Sequence, residues 1–290
     1  MTYQRVLVPL DGSRLAERAV PYAKAIASNT GSELILFTVA TVRNEKLDRP
    51  MKAYLEHNAK ALKAERIKVI TATAYGNAAD EIIRFADQNK ISLIIISTHG
   101  HSGIKRWMLG SVALKVLYGT VVPVLLVKSK SHKISDVKFK KVLVPLDGSP
   151  FSEASIPYVK ELAQRAGGEI ILLRVGEIPI LPADRSPAIK PSWEEYRDML
   201  MSEIQRQAEE YLEGVKVNLG TRGIKVRTQA ILGKAAEIIL QVAQQEDVKL
   251  ITMTTQGRTG ISRWVYGSVA SRIVEESLQP VMLIRPSVPK

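Results

Sequence analysis

Two stretches of this chain, 98–111 and 255–268, carry three glycines, a tryptophan and a closing Gly-Ser at identical internal spacing. The first holds Gly100, Gly103, Trp107, Gly110 and Ser111; the second holds Gly257, Gly260, Trp264, Gly267 and Ser268. The first follows a short apolar run, Leu93 to Ile96, and opens a helical pattern. A strand, a glycine-bearing loop and a helix starting at Gly-Ser let free backbone N–H groups and a helix dipole meet an anion. Glycine admits phosphate oxygens where a Cβ would obstruct them, and Ser111 and Ser268 each offer a hydroxyl beside an N–H. Turn and capping preferences favour the same residues, but the preferred reading is a nucleotide phosphate site, present twice.

Other chemistries find less support. With no cysteine there is no thiolate nucleophile, disulfide or cysteine metal site. The four histidines, His57, His99, His101 and His132, do not form a ligand set with nearby paired carboxylates, so no metal site is expected. There is neither a Walker A sequence nor a G-x-G-x-x-G fingerprint. His99-Gly100-His101 has half of a nucleotidyl-transfer signature, but it follows the fourth strand rather than the first, and the second half has Gln256 and Arg258 there. No nucleophile with a plausible base emerges, so the chain is not expected to be an enzyme, weak ATP hydrolysis aside.

The elements that position these loops repeat as well. Val6 to Ser13 recurs as Val142 to Ser149 at an offset of 136, whereas Pro123 to Val127 recurs as Pro280 to Ile284 at 157. The chain is a duplication with 21 extra residues in its second half. We expect domains at 1–130 and 140–290, a linker at 131–139 and a proline-rich insertion at about 177–192. In the first half, Arg5 to Pro9 is a buried strand, and a helix starts at Ser13, kinked at Pro21 as its counterpart is at Pro157. Strands follow at Leu34–Val39, Ile67–Ala72, Leu93–Ile96 and Val122–Val127, with helices at Pro50–Lys63, Ala78–Asn89 and Ser111–Tyr118. After the insertion, Ser192 opens a long helix by capping-box spacing, with Tyr196, Met199, Leu200, Ile204, Tyr211, Leu212 and Val215 as a core stripe. Alternating strands and helices predict an α/β fold of two doubly wound five-stranded parallel sheets, each in the order 3-2-1-4-5. That order reverses its winding between the first and fourth strands, which puts Asp11-Gly12-Ser13 beside the glycine loop. The last strands, Val122–Val127 and Val281–Ile284, are expected to pair and make an internal pseudo-dimer.

Both halves resemble universal stress protein domains. The resemblance rests on Val-Pro-Leu-Asp-Gly-Ser at the first strand's end, Gly-x-Ala-Ala at Gly76 and Gly233, the loop closed by Gly-Ser, and the final Pro-Val strand. It implies an adenine-nucleotide alpha-hydrolase-like fold, ATP binding in part of the family (with Mg2+), association through the last strand, and a role in surviving stress. It further implies that Asp11 and Asp147 touch adenosine and that Val39 and Val175 line the adenine pocket. For Asp11 and Asp147 helix capping is an equal alternative, and for Val39 and Val175 ordinary sheet core is the commoner fate. ATP-binding members carry a first glycine where this chain has Ser97 and Thr254. A side chain there either crowds the ribose or hydrogen-bonds to it.

The net charge of +12 is concentrated in residues 1–136, with 20 basic and 11 acidic residues there against 21 and 18 after them. The basic residues are scattered, with no aromatic interleaving, so nucleic acid is not an expected partner. No apolar run reaches the roughly 18 residues of a membrane span, and a cytoplasmic location is expected. The function expected is an ATP-binding stress-response switch with an unknown protein partner and a possible homodimer. The alternative is an ATP-independent interaction scaffold of the same fold.

Overall fold

The computed structural model describes residues 2–42, 45–98, 109–128, 137–178, 193–220, 223–255 and 267–286. In the first half the elements are β1 (Arg5–Pro9), α1 (Ala19–Thr30), β2 (Glu33–Ala40), α2 (Glu45–Ala64), β3 (Val69–Tyr75), α3 (Ala78–Gln88), β4 (Leu93–Ser97), α4 (Ser111–Gly119) and β5 (Val124–Val127). The second half runs β6 (Lys141–Pro145), α5 (Pro150–Glu153), α6 (Ile156–Ala166), β7 (Glu169–Gly176), α7 (Trp193–Leu219), β8 (Lys225–Leu232), α8 (Ala235–Gln245), β9 (Leu250–Thr254), α9 (Ser268–Glu276) and β10 (Val281–Ile284).

The strand order is β3-β2-β1-β4-β5-β10-β9-β6-β7-β8. Each half has the expected 3-2-1-4-5 order, parallel throughout. The expected pairing of the last strands joins the halves into one ten-stranded sheet, antiparallel at its centre, with Val281 opposite Leu126 and Leu283 opposite Val124. Continuous apolar strands bury both faces: Val6 and Val8 point into one core, Leu7 into the other. One face carries α1, α2, α6 and α7, and the other carries α3, α4, α8 and α9. Both cores run unbroken across the two halves. On the first face Tyr3 Oη donates to Tyr158 O at 3.0 Å, and Phe139, buried, sits 6.4 Å from the Tyr22 ring.

Several local expectations are corrected. The predicted kink at Pro21 is absent, because the chain after Ser13 makes a 3-10 turn at Ala16–Arg18 and α1 starts at Ala19. Pro21 then lies in the first turn of α1, and Pro157 in that of α6, where a helix's own N–H groups lack intrahelical partners and proline is tolerated. Conversely, Pro50 lies inside α2 rather than starting it, which removes one helical hydrogen bond. Strand β3 begins two residues later than expected and runs on to Tyr75, and β5 begins at Val124. In α7, Ala208, Leu212 and Val215 are core, whereas Tyr196 and Met199 are exposed, since α7 begins before it reaches the sheet. Ser192, the expected cap, lies outside the described residues.

Two cations cross the junction between halves. Lys128, directly after β5, donates through Nζ to Val274 O near the carboxyl end of α9. Arg285, directly after β10, donates through Nη1 to Tyr118 O at 3.3 Å and Thr120 O at 3.4 Å at the end of α4. Burial pushes the Lys128 ammonium down to about 8, against the opposing pull of the Glu275 carboxylate. A lysine whose folded pKa lies below its unfolded value binds fewer protons when folded. The resulting penalty is present in full below the folded pKa and is relieved as pH rises from about 8 towards 10.5. We therefore expect wild type to gain up to about 2 kcal/mol over Lys128→Met between roughly pH 7 and pH 9.5. Urea unfolding of both proteins at the two pH values measures it, and parallel pH profiles would contradict the assignment.

Candidate functional site

The site begins where β1 leaves the sheet. Leu10 donates its N–H to Phe37 O at 2.7 Å, the last rung before the loop. Ser13 N–H then donates to Asp11 Oδ1 at 2.9 Å, and Ala16 N–H to Ser13 Oγ at 3.1 Å. Gly12 between them has φ +81°, a conformation that favours glycine. In the second half Asp147 Oδ1 accepts from Ser149 N at 2.9 Å and from Ser149 Oγ at 2.6 Å, and Ser149 in turn caps α5 by accepting from Ser152 N. Both aspartates thus shape the turn by bonding two residues ahead, and the helix-capping alternative belongs instead to the serines.

The facing wall is the end of β4. Ser97 and Thr98 are buried, as are Thr254 and Thr255. Thr98 N–H donates to Val127 O at 2.9 Å, and Gly110 N–H donates to Thr98 O at 2.6 Å, so the ends of β4 and β5 and the start of α4 meet at Thr98. Thr255 N to Ile284 O, 2.9 Å, and Gly267 N to Thr255 O, 3.1 Å, repeat this in the second half. Gly100 and Gly257 lie outside the described residues. Gly110 and Gly267 occupy the N-cap positions of α4 and α9, and among the described residues neither helix start has a side-chain cap. The first-turn N–H groups, with the positive end of the helix dipole, are therefore presented to the crevice.

Neither cap glycine is there for backbone freedom. Gly110 has φ −57° and ψ 146°, Gly267 φ −57° and ψ 148°, angles any residue adopts. Among the described residues, a Cβ on Gly267 would come no closer than 3.9 Å, to Thr255 O.

A cavity of about 320 Å³ lies between these walls in the first half. Asp11, Val39, Ser97, Gly110 and Ser111 line it together, with Phe37, Ala78 and Ile82 as an apolar side. Its volume is within the range of small-molecule sites. Val39 packs on the core of this face and also lines the cavity, so core and pocket roles coincide. Asp147, Val175, Gly267 and Ser268 hold the matching strand and helix ends in the second half. Among the described residues, no group of three His, Asp or Glu could hold a metal ion, and no helix is long and apolar enough to cross a membrane.

Sequence reasoning missed the residues behind the Asp-Gly-Ser loops. Tyr54 on α2 faces Glu17 and the Asp11-Gly12 turn; burial first, and then the Glu17 carboxylate, raise its hydroxyl pKa well above that of a free tyrosine. Tyr211 on α7 donates to Glu153 Oε1 at 2.9 Å, with the same upward shift from burial first and this bond second. The shared offset of 157 between Tyr54 and Tyr211 was the available signal. The halves diverge at Thr38 and its counterpart Arg174. Thr38 Oγ1 donates to Leu10 O at 2.5 Å, whereas the Arg174 guanidinium lies 4.6 Å from the Tyr211 ring centre and packs onto Gly148.

Comparison with known proteins adds a family. The profile of the universal stress protein family matches the chain twice, over residues 2–128 and 138–285. A universal stress protein of Methanocaldococcus jannaschii is 29% identical over 156 residues, covering 51% of this chain and 96% of that protein. One of Mycolicibacterium smegmatis is 27% identical over 198 residues, covering 67% of this chain and 62% of that protein. The crystal structure of a universal stress protein from Archaeoglobus fulgidus superposes with a TM-score of 0.71 at 22% identity, covering 99% of both chains, and shares the fold.

The two kinds of glycine predict opposite stability effects. Gly267→Ala should leave stability within about 1 kcal/mol of wild type, since its backbone and surroundings accept a Cβ. Gly148→Ala should cost about 1–2 kcal/mol, since φ +84° strains a residue with a Cβ, while the flexible Arg174 guanidinium can swing aside. Urea midpoints compare them; equal costs would mean that the glycines serve the same end.

Proposed function

The chain belongs to the universal stress protein family, and we propose that it is a cytoplasmic, nucleotide-dependent stress-response switch that binds ATP with Mg2+ in the crevice of each half. The observation that carries this reading is the first-half cavity, in which Asp11, Val39, Ser97, Gly110 and Ser111 converge although they come from three different strand ends and one helix start. Asp11 would meet the adenosine, Val39 and Phe37 the base, and the first-turn amides from Ser111 onward, at the start opened by Gly110, the phosphates. Asp147, Val175, Gly267 and Ser268 would serve the same parts of a second ATP. Gly100 and Gly257 would complete the phosphate cradles.

The donor set suits an anion better than a bare cation. Mg2+ binds readily through substrate phosphates and water, so it would arrive with ATP. The switch needs no catalytic group; occupancy itself alters what a protein partner meets at the loops. The basic balance of the first half favours the approach of a polyphosphate.

Denaturing the purified protein and identifying released small molecules by mass spectrometry should recover ATP. Titration followed by tryptophan fluorescence should then give close to two sites. Gly110→Val and Gly267→Val should each remove one site, weakening it by at least about tenfold, or roughly 1.4 kcal/mol. If both variants bind as wild type does, the site assignment is wrong. No ATP in the extract and no fluorescence response at millimolar ATP would establish the ATP-independent scaffold instead.

A further inference from the structure

The junction between halves contains an exchange that the nucleotide reading does not use. Helix α4 presents its amino end to the first crevice, and Arg285 of the second half binds its carboxyl end through Tyr118 O and Thr120 O. Helix α9 presents its amino end to the second crevice, and Lys128 of the first half binds Val274 O near its carboxyl end. Each cation follows the strand that anchors its own half's phosphate loop. Thr98 N–H bonds to the carbonyl of Val127, the residue before Lys128, and Thr255 N–H bonds to that of Ile284, the residue before Arg285.

The physical consequence follows from the helix as a unit. α4 is nine residues long, about 13 Å. Its unsatisfied end carbonyls and its dipole favour a cation at the carboxyl end as much as an anion at the amino end. Arg285 therefore fixes where α4 sits, and with it the first-turn amides from Ser111 onward. Lys128 does the same for α9 and the amides from Ser268 onward. The cation that orients each phosphate helix belongs to the opposite half.

We propose that Arg285 and Lys128 are positioning residues exchanged between the halves, Arg285 for the phosphate site at α4 and Lys128 for the one at α9, so that each site's affinity depends on the other half. The inference rests on the nucleotide reading for its ligand, though not for its contacts. Because each cation is joined to its own half's loop base through one peptide, occupancy of one crevice biases the helix of the other, and the coupling is reciprocal.

Hydrogen–deuterium exchange of the whole protein without nucleotide tests the contacts. Arg285→Met should speed exchange over 111–119 and spare 268–276, and Lys128→Met should do the reverse. ATP titration then tests the consequence. In a Gly267→Asp background, where only the first-half site remains, Arg285→Met should weaken ATP about two- to five-fold, and Arg285→Lys should restore most of the loss. Unchanged exchange in α4, equal loosening of both helices, or altered exchange with unaltered ATP affinity would each overturn the proposal. A wild type that binds no ATP would overturn the nucleotide reading beneath it, and the exchange result, obtained without ATP, tells the two failures apart.

Discussion

At Leu125 and Met282 two sheet edges meet, and each would otherwise present a row of unpaired N–H and C=O groups. The antiparallel pairing of β5 with β10 closes both edges at once and leaves β3 and β8 as the ends of a single sheet. Everything else at the centre depends on that contact. It makes the two cores continuous across the halves, brings Tyr3 against Tyr158, and places Phe139 beside Tyr22. It also carries Lys128 and Arg285 across to helices that belong to the other half. A duplicated domain thereby becomes one body in which neither half is complete at its inner edge.

The candidate site follows from the same topology. Reversal of winding between β1 and β4 opens a crevice at their carboxyl ends, where no strand or helix fills the gap. The uncapped start of α4 projects into it. In most helices a side chain satisfies such amides; here a glycine stands at the cap with backbone angles that do not require glycine. The backbone angles of Gly110 and Gly267 do not require glycine, whereas Gly12 and Gly148, with φ +81° and +84°, are explained by their turns alone.

The halves are not equivalent. Thr38 and Arg174 occupy matching places on β2 and β7, but only the arginine reaches back to pack on its own Asp-Gly-Ser loop and on Tyr211. The second loop is therefore held from behind by a side chain that the first lacks. The cross-junction cations differ too: Arg285 reaches the carbonyls of Tyr118 and Thr120 with a planar guanidinium, whereas Lys128 brings a half-buried ammonium to that of Val274.

The duplication, the strand order within each half and the pairing of the last strands were legible in the sequence, because apolar runs, repeat offsets and the need to cover a sheet edge are local or topological facts. So was the meeting of Asp11 with Gly110 and Ser111, since strand order alone sends both segments to the same end of the sheet. Helix starts were not: Pro21 reads as a kink until the 3-10 turn at Ala16–Arg18 places it in the first turn, and Tyr196 and Met199 read as core until α7 is seen to begin before it reaches the sheet. Only the tertiary structure assigned Asp11 and Asp147 to their turns, set Arg174 on Gly148, and handed Lys128 and Arg285 to the opposite half. Those outcomes depend on distances between residues that lie from about 25 to more than a hundred positions apart, or on competition between equally good local bonds, and no periodicity in the chain records either.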